Sequence, residues 1–456
     1  MHKADLRTIL LMFVLAIVPI FIDKLALRSL LSLLFILQVF LILRRELKFE
    51  KLVLFCSPAI LSLFYINVSF ALGAFAYSNG YVLRNTPNYK NYLNWDHLEI
   101  SSLFFLLCNI VVYFVHIIYR DKIINQAEVF IARYIPNGFF GFLLFVCFSP
   151  FMLLELDASI LGGSGDFSVV PKTLLALTCI YYLARKAKWY RWYSYCFILV
   201  VFAFISVDSK REAIFLLFPI LLLESIFNLK KINLFLILKL IAVILLAALL
   251  IIVMSIARGY GGYVTNGSFT AAMPFISEYL LHEKFLAYFF NNIEVNYTFY
   301  HSFQAVEYIN KDYTLMALGL TILKTIFIFI PRSIWQGKPD SIIGEYTLYH
   351  DPLFREIGGS WPVNLYAELF WNFNFLGLFF LAIIYAFLSS IFIRILKAAI
   401  NKSYLYLIVL LYFYMNLITY VRGSGLDMYV VYTLIAFSIW LIPYSVNRVL
   451  SNRLGK

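Results

Sequence analysis

This chain carries little charge. Only 14% of its 456 residues are Asp, Glu, Lys or Arg, while 62% are hydrophobic and the mean hydropathy is +0.84. A soluble fold cannot hide that much apolar side chain, so the composition indicates a polytopic membrane protein. Cysteine is scarce as well. Cys56, Cys108, Cys147, Cys179 and Cys196 all lie in apolar stretches without a C-x-x-C spacing. That excludes a disulfide framework and a zinc site and leaves small buried side chains. P-loop, HExxH, GxSxG and dinucleotide motifs are missing, so no cofactor and no nucleic-acid partner are expected. No internal repeat is evident. Lys3 and Arg7 precede an apolar run from Ile9 that lacks a small-residue cleavage site, and it reads as a retained first helix.

What the chain has is long apolar runs. Spans are expected near 8–22, 26–43, 52–76, 99–118, 136–156, 171–184, 191–207, 211–228, 232–256, 374–394, 403–421 and 428–446. With the N-terminus inside, the short inner loops carry Arg44, Arg45, Lys48 and Lys51, then Arg120, Lys122 and Arg133, then Arg185, Lys186, Lys188 and Arg191, and later Arg394, Lys397 and Lys402. That distribution obeys the positive-inside rule and returns the C-terminus to the inside. A thirteenth span at 315–330, LMALGLTILKTIFIFI, would turn the basic segments 394–402 and 447–456 outward. Its 16 residues would rise only about 24 Å, short of a hydrocarbon core of about 30 Å. The stretch therefore reads as re-entrant or interfacial. The expected fold is an all-α membrane protein of about twelve transmembrane helices. Helices 1 to 9 occupy residues 1–256, a large outer segment 257–365, and helices 10 to 12 residues 366–456. The outer segment is too apolar and aromatic to be disordered, and loops of that length are usually functional.

Several clusters on the outer face could carry chemistry. In VDSKREAIFLLF, residues 207–218, Ser209 and Glu212 form a capping box, and Lys210 and Arg211 stand at the positive end of a helix, an anion site. The plainer reading is a basic pair snorkelling to lipid phosphates. In IARGYGGY, residues 256–263, Arg258 follows a helix and the glycines permit close backbone approach. In FIPRSIWQGKPD, residues 329–340, Arg332 and Lys338 are each set beside a proline with Trp335 between them. Arg422 precedes the last helix and could pair with Asp427 or touch substrate. Glu368 and Asn372 lie one turn apart near Trp361, Tyr366 and Trp371, where an interface belt of aromatics is also expected. His97, Glu278, His282, Glu294, His301, Asp340, Glu345, His350 and Asp351 are further ionisable groups on that side. Glu155-x-Asp157 has the look of a carboxylate pair but reads more plainly as a helix end, and no metal ligand is assigned. Lys210, Arg211, Arg258, Arg332, Lys338 and Arg422 thus gather cations on one membrane face, suited to a lipid substrate with concentrated negative charge.

The segments SKREAIFLLFPILL (209–222), FIPRSIWQGKP (329–339) and GSWPVNLYAELFWNFNFLG (359–377) resemble those of the Wzy-type oligosaccharide repeat-unit polymerases, with YVRGSG (420–425) a less specific match. The resemblance implies a GT-C-like enzyme of the bacterial inner membrane with both termini cytoplasmic and its site periplasmic. It implies transfer of a growing glycan from undecaprenyl pyrophosphate to an incoming lipid-linked repeat, with membrane lipids and a chain-length regulator as partners. It places Arg211 and Arg332 at the pyrophosphate. Because the leaving group is weakly basic, it needs charge stabilisation more than a proton. A base for the acceptor hydroxyl is expected, Glu368 first and His301 second, with Tyr260 and Trp335 against sugar faces. An O-antigen ligase using the same donor and a flippase or transporter are the alternatives. A transporter would tend to show repeated halves and charges near the mid-membrane.

Overall fold

The computed structural model describes residues 3–47, 57–82, 95–133, 272–292, 295–328, 334–401 and 405–424, together with 330 and scattered single positions. The described residues are helical, with no strand among them. Among the described residues, six helical stretches are long and apolar enough to cross a membrane: Lys3–Phe21, Lys24–Glu46, Pro58–Ser78, Leu98–Phe130, Leu365–Ala399 and Tyr406–Gly423. This is an all-helical membrane-embedded chain. The expected spans between 136 and 256 and at 428–446 fall outside the described residues.

The first four helices follow from local chemistry. α1 is Lys3–Phe21 and α2 is Lys24–Glu46, which starts where the Asp23 carboxylate accepts a bond from the Leu25 N–H and ends on Arg44 and Arg45. These place an acceptor at the positive helix end and cations at the negative end. α3, Pro58–Ser78, opens on a proline whose missing N–H is no loss in a first turn. α4, Leu98–Arg133, runs well past the expected 99–118. The reason is in its sequence: no Gly or Pro interrupts DKIINQAEVFIAR before Pro136. The expected inner loop bearing Arg120 and Lys122 is therefore helix.

The chain divides into two compact units. One comprises Met1–Asp121, Ser277–Ser390 and Leu417–Val430; the other comprises Lys122–Ile276, Ile391–Asn416 and Val431–Lys456. In the second unit, among the described residues, Phe392 packs on Tyr414 with ring centres 6.1 Å apart. The first unit holds α1 to α3, most of α4, and a set of shorter helices: α5 (Ile276–Leu281), α6 (Phe285–Asn292), α7 (Val295–Lys311), α8 (Leu320–Leu323), α9 (Ile342–His350), α10 (Pro352–Glu356) and α11 (Leu365–Phe373). Beyond them run α12 (Gly377–Asn401) and α13 (Leu405–Thr419).

α7 positions the rest. Its Phe303 is buried among Phe35 of α2, Phe70 of α3 and Phe105 of α4, at 6.5, 5.4 and 4.6 Å between ring centres. Phe299, one turn earlier, lies 5.8 Å from Phe70. At Gly73 a Cβ would collide with the Phe299 side chain, so the glycine sets how closely α7 and α3 approach. The polar side of α7 is used too. Glu307, almost wholly buried, accepts hydrogen bonds from the N–H groups of Asp96 and His97 at 2.8 and 3.0 Å, and Gln304 accepts one from the Trp95 indole at 2.6 Å. A carboxylate at the open N–H groups before α4 stabilises that helix start.

The 315–330 stretch does not form one helix. Leu318 and Gly319 both have left-handed backbone, with φ of 50° and 92°, which ends any α-helix there. α8 is a single turn, followed by turns from 324 to 328.

Candidate functional site

Three side-chain groups meet around α7, α8, α9 and α11. The first is aromatic. His301 is fully buried, its Nδ1 is 2.8 Å from the Tyr346 hydroxyl, and Trp361 stacks on it with ring centres 4.5 Å apart. The Tyr308 hydroxyl lies 2.7 Å from Nδ1 of His350, whose ring is 5.3 Å from that of His301. Burial pushes His301 well below its ordinary value, and His350 acts in the same direction. Burial also pushes His350 down to about 4, against the opposing pull of Asp351. His301 is thus a neutral packing group at neutral pH, with no surface on which to meet a sugar hydroxyl.

A pH effect on stability follows. An unfolded chain protonates His350 near the ordinary pKa of about 6.5. The folded chain resists until about pH 4. The stability this buried neutral ring carries is complete above the unfolded value and is lost as pH falls through that window. The loss should reach roughly 2 kcal/mol after allowance for partial exposure. Thermal unfolding of the detergent-solubilised protein at neutral and acid pH should show it, and His350→Gln should shrink the difference. An undiminished difference in that variant would assign the acid sensitivity elsewhere.

The second group holds the turn at 317–321. Glu368 and Asn372 share a face of α11, and both reach Thr321. The Thr321 hydroxyl donates to Glu368 Oε1 at 3.2 Å, and Asn372 Nδ2 donates to Thr321 Oγ1 at 2.7 Å. Asn372 Oδ1 accepts from the Gly319 N–H at 2.9 Å. Asn364 starts α11 by accepting from the Ala367 N–H, and its own N–H donates to Ser302 of α7. Glu368 is only 3% exposed. Its placement is that of a clamp between α8 and α11.

The third group is charged and partly open. Asp340 sits between two cations: Lys324 Nζ lies 3.9 Å from Oδ1 and Arg355 Nη2 3.5 Å from Oδ2. Gly344 makes room for this pairing, because a Cβ there would fall 2.9 Å from Asp340 Oδ2 and 3.1 Å from Arg355 Nη2. Glu345, the next residue along α9, is half-buried and forms no ion pair among the described residues. Burial pushes its carboxyl up to about 7; the Trp371 indole N–H and Lys324 restrain the rise and Asp340 adds to it. Lys338 bridges the approach to this cluster by donating to the carbonyl oxygens of Ile328 and Ile330 at 3.0 and 2.9 Å. Trp335 packs its ring on Phe327 at 5.3 Å.

Arg422 is buried in the wide turn Tyr420–Ser424 that ends α13. Gly423 there has φ 120° and lies against the Val363 backbone, where no side chain would fit, so the turn abuts the segment entering α11. Lys210, Arg211, Arg258, Tyr260 and Arg332 lie outside the described residues, as do Ser209, Glu212, Tyr263, Glu155 and Asp157. Among the described residues no group of three or more His, Cys, Asp or Glu could hold a metal ion. Lys324 and Arg355 were not among the candidate binding residues. The one sequence signal for Lys324 was a lysine inside an apolar run, and Arg355 had none.

Compared with known proteins, the chain matches no family model, no curated protein and no solved structure.

Proposed function

We propose that this chain is a membrane glycosyltransferase of the repeat-unit polymerase type. It would transfer a growing glycan from undecaprenyl pyrophosphate to the sugar of an incoming lipid-linked repeat, at the periplasmic face of a bacterial inner membrane. The full layout in this reading has about twelve spans and cytoplasmic termini. The observation that carries it is the placement of residues 334–340, the described end of FIPRSIWQGKPD, the stretch with the strongest resemblance. Its last residue, Asp340, is the centre of the Lys324–Asp340–Arg355 cluster beside Glu345. Cations for a pyrophosphate and a carboxylate for a hydroxyl are the two requirements of such a transfer. Arg211 and Arg332 would bind the pyrophosphate.

In cells, Arg211→Ala and Arg332→Ala should each leave single repeat units on the surface glycan and abolish long chains, read by gel ladder. Long chains of normal length in both variants would remove the pyrophosphate assignment. Repeats trapped on the cytoplasmic side after deletion would favour a flippase. Attachment of preformed chains to lipid A-core without any effect on chain length would favour a ligase. A membrane-impermeant maleimide on Gln336→Cys, an exposed position in this stretch, tests its side: no labelling in intact spheroplasts would place it in the cytoplasm.

A further inference from the structure

We propose that Glu345 is the catalytic proton acceptor of this transfer. Its carboxylate takes the proton from the acceptor sugar hydroxyl as that oxygen bonds to the donor's anomeric carbon. The bond from that carbon to the pyrophosphate oxygen breaks, and the electron pair leaves with the lipid pyrophosphate. The inference rests on the polymerase-type reading above.

The geometry separates two carboxylates five residues apart. Asp340 is committed, held between Lys324 and Arg355 by the close approach that Gly344 allows. Glu345 has no cation at ion-pair distance among the described residues and is only partly exposed. The charged groups acting on it are Asp340 and Lys324, with the Trp371 indole nearby. A site that clamps one carboxylate in ion pairs and leaves its neighbour desolvated divides their roles: the first orders the site, the second exchanges a proton. A proton acceptor works best when its own pKa lies near the working pH, and burial puts Glu345 there, at about 7. The two residues that the sequence favours as base are closed to substrate. Glu368 is 3% exposed and bound to Thr321, while His301 is fully buried between Tyr346 and Trp361.

The helix that carries Glu345 is also held in place. Glu345 follows Gly344 and precedes Tyr346, whose hydroxyl is anchored on His301 of α7 and whose ring meets that of Trp371 edge-on at 6.2 Å. A base on a helix braced from both sides has little freedom to lose on substrate binding.

The test uses the full chain purified into lipid nanodiscs and lipid-linked repeat units extracted from a host lacking this protein. Glu345→Gln should slow polymerisation by about 10²- to 10⁴-fold with the KM for the lipid-linked repeat unchanged. Glu345→Asp should recover part of the loss. The wild-type rate should rise between about pH 6 and about pH 8, and the Gln variant should lose that rise. A Gln variant with the wild-type rate overturns the assignment. So does one that is slow with a raised KM and an intact pH profile, the pattern of a merely structural residue. If Glu345→Gln fails to fold, the wild-type profile decides, and a rate flat across that range overturns the proposal. A wild-type protein that makes no polymer under any condition would sink the polymerase reading itself, which is a different result from an active wild type with an equally active variant.

Discussion

Arg120→Met should cost about 3–5 kcal/mol of stability, because it strands two carboxylates away from water. Arg120 is 1% exposed and donates from Nη1 to Asp5 and Glu46 at 3.2 and 3.1 Å, and from Nη2 to Asp5 at 3.1 Å. Asp5 and Glu46 are 0% and 1% exposed. The network extends through Arg45 Nε to Asp5 at 2.7 Å, through the Tyr113 hydroxyl to Glu46 at 3.0 Å, and through His116, whose Nε2 is 3.3 Å from Glu46 and Nδ1 3.0 Å from Ser57. It joins α1, α2, α4 and the residue before α3. The two carboxylates are not equally exposed to the loss. Asp5 keeps Arg45, whereas Glu46 keeps only the neutral donor Tyr113 and the imidazole of His116. Adding Glu46→Gln to Arg120→Met should therefore restore more stability than adding Asp5→Asn. Thermal unfolding in detergent, with the yield of monodisperse protein, reads the series. An unchanged midpoint in Arg120→Met, or better rescue by Asp5→Asn, would mean that the guanidinium is not what keeps these carboxylates buried.

That network shows where reading the sequence stops. Hydropathy locates the spanning helices because the membrane demands long apolar runs, and α1 to α4, α12 and α13 begin or end near the expected positions. Helical spacing places Glu368 and Asn372 on one face, and that face acts as a unit on Thr321. Long-range pairing has no local signature. Arg45 and Arg120 read as ordinary inner-flank cations, yet both are tied to Asp5, 40 and 115 residues away. α7 is opaque for a related reason. VNYTFYHSFQAVEYINK mixes aromatic and polar residues at every turn, so neither hydropathy nor composition marks it for burial. Its Gln304 and Glu307 are satisfied by groups about two hundred positions earlier, at Trp95, Asp96 and His97. Lys338 is the converse case. Its position between a tryptophan and a proline reads as an anion contact, and the structure bonds its ammonium to two carbonyls of its own loop. Charge type is legible in sequence; partner is not.

The contact between α7 and α3 carries the other large prediction. Gly73→Ala puts a methyl where the Phe299 side chain already sits, and overpacking of a tight contact typically costs 1–3 kcal/mol, with Gly73→Leu at or beyond the upper end. Activity should fall further than stability, because α7 is the element on which the site is assembled. Pushed off α3, it carries away the Phe303 ring from Phe35, Phe70 and Phe105, the Glu307 bonds that hold residues 96–97, and the His301–Tyr346 bond that braces α9. Glu345 lies on that helix, so a shift of α9 displaces the carboxylate from Trp371 and Asp340, and misplacement by about 1 Å can cost on the order of a hundredfold in rate. Phe299→Gly in the Gly73→Ala background removes the Cβ as well as the ring atoms that a methyl at position 73 would meet and should recover much of the lost polymerisation, although Phe299→Gly alone leaves a cavity beside Phe70 and Tyr77. Such a pair, each change harmful and the two together less so than Gly73→Ala alone, is what a steric contact produces and what two independent defects cannot. Additive losses in the double variant would place Gly73 and Phe299 apart in the membrane-embedded protein, and the packing of α7 among the spanning helices would have to be redrawn.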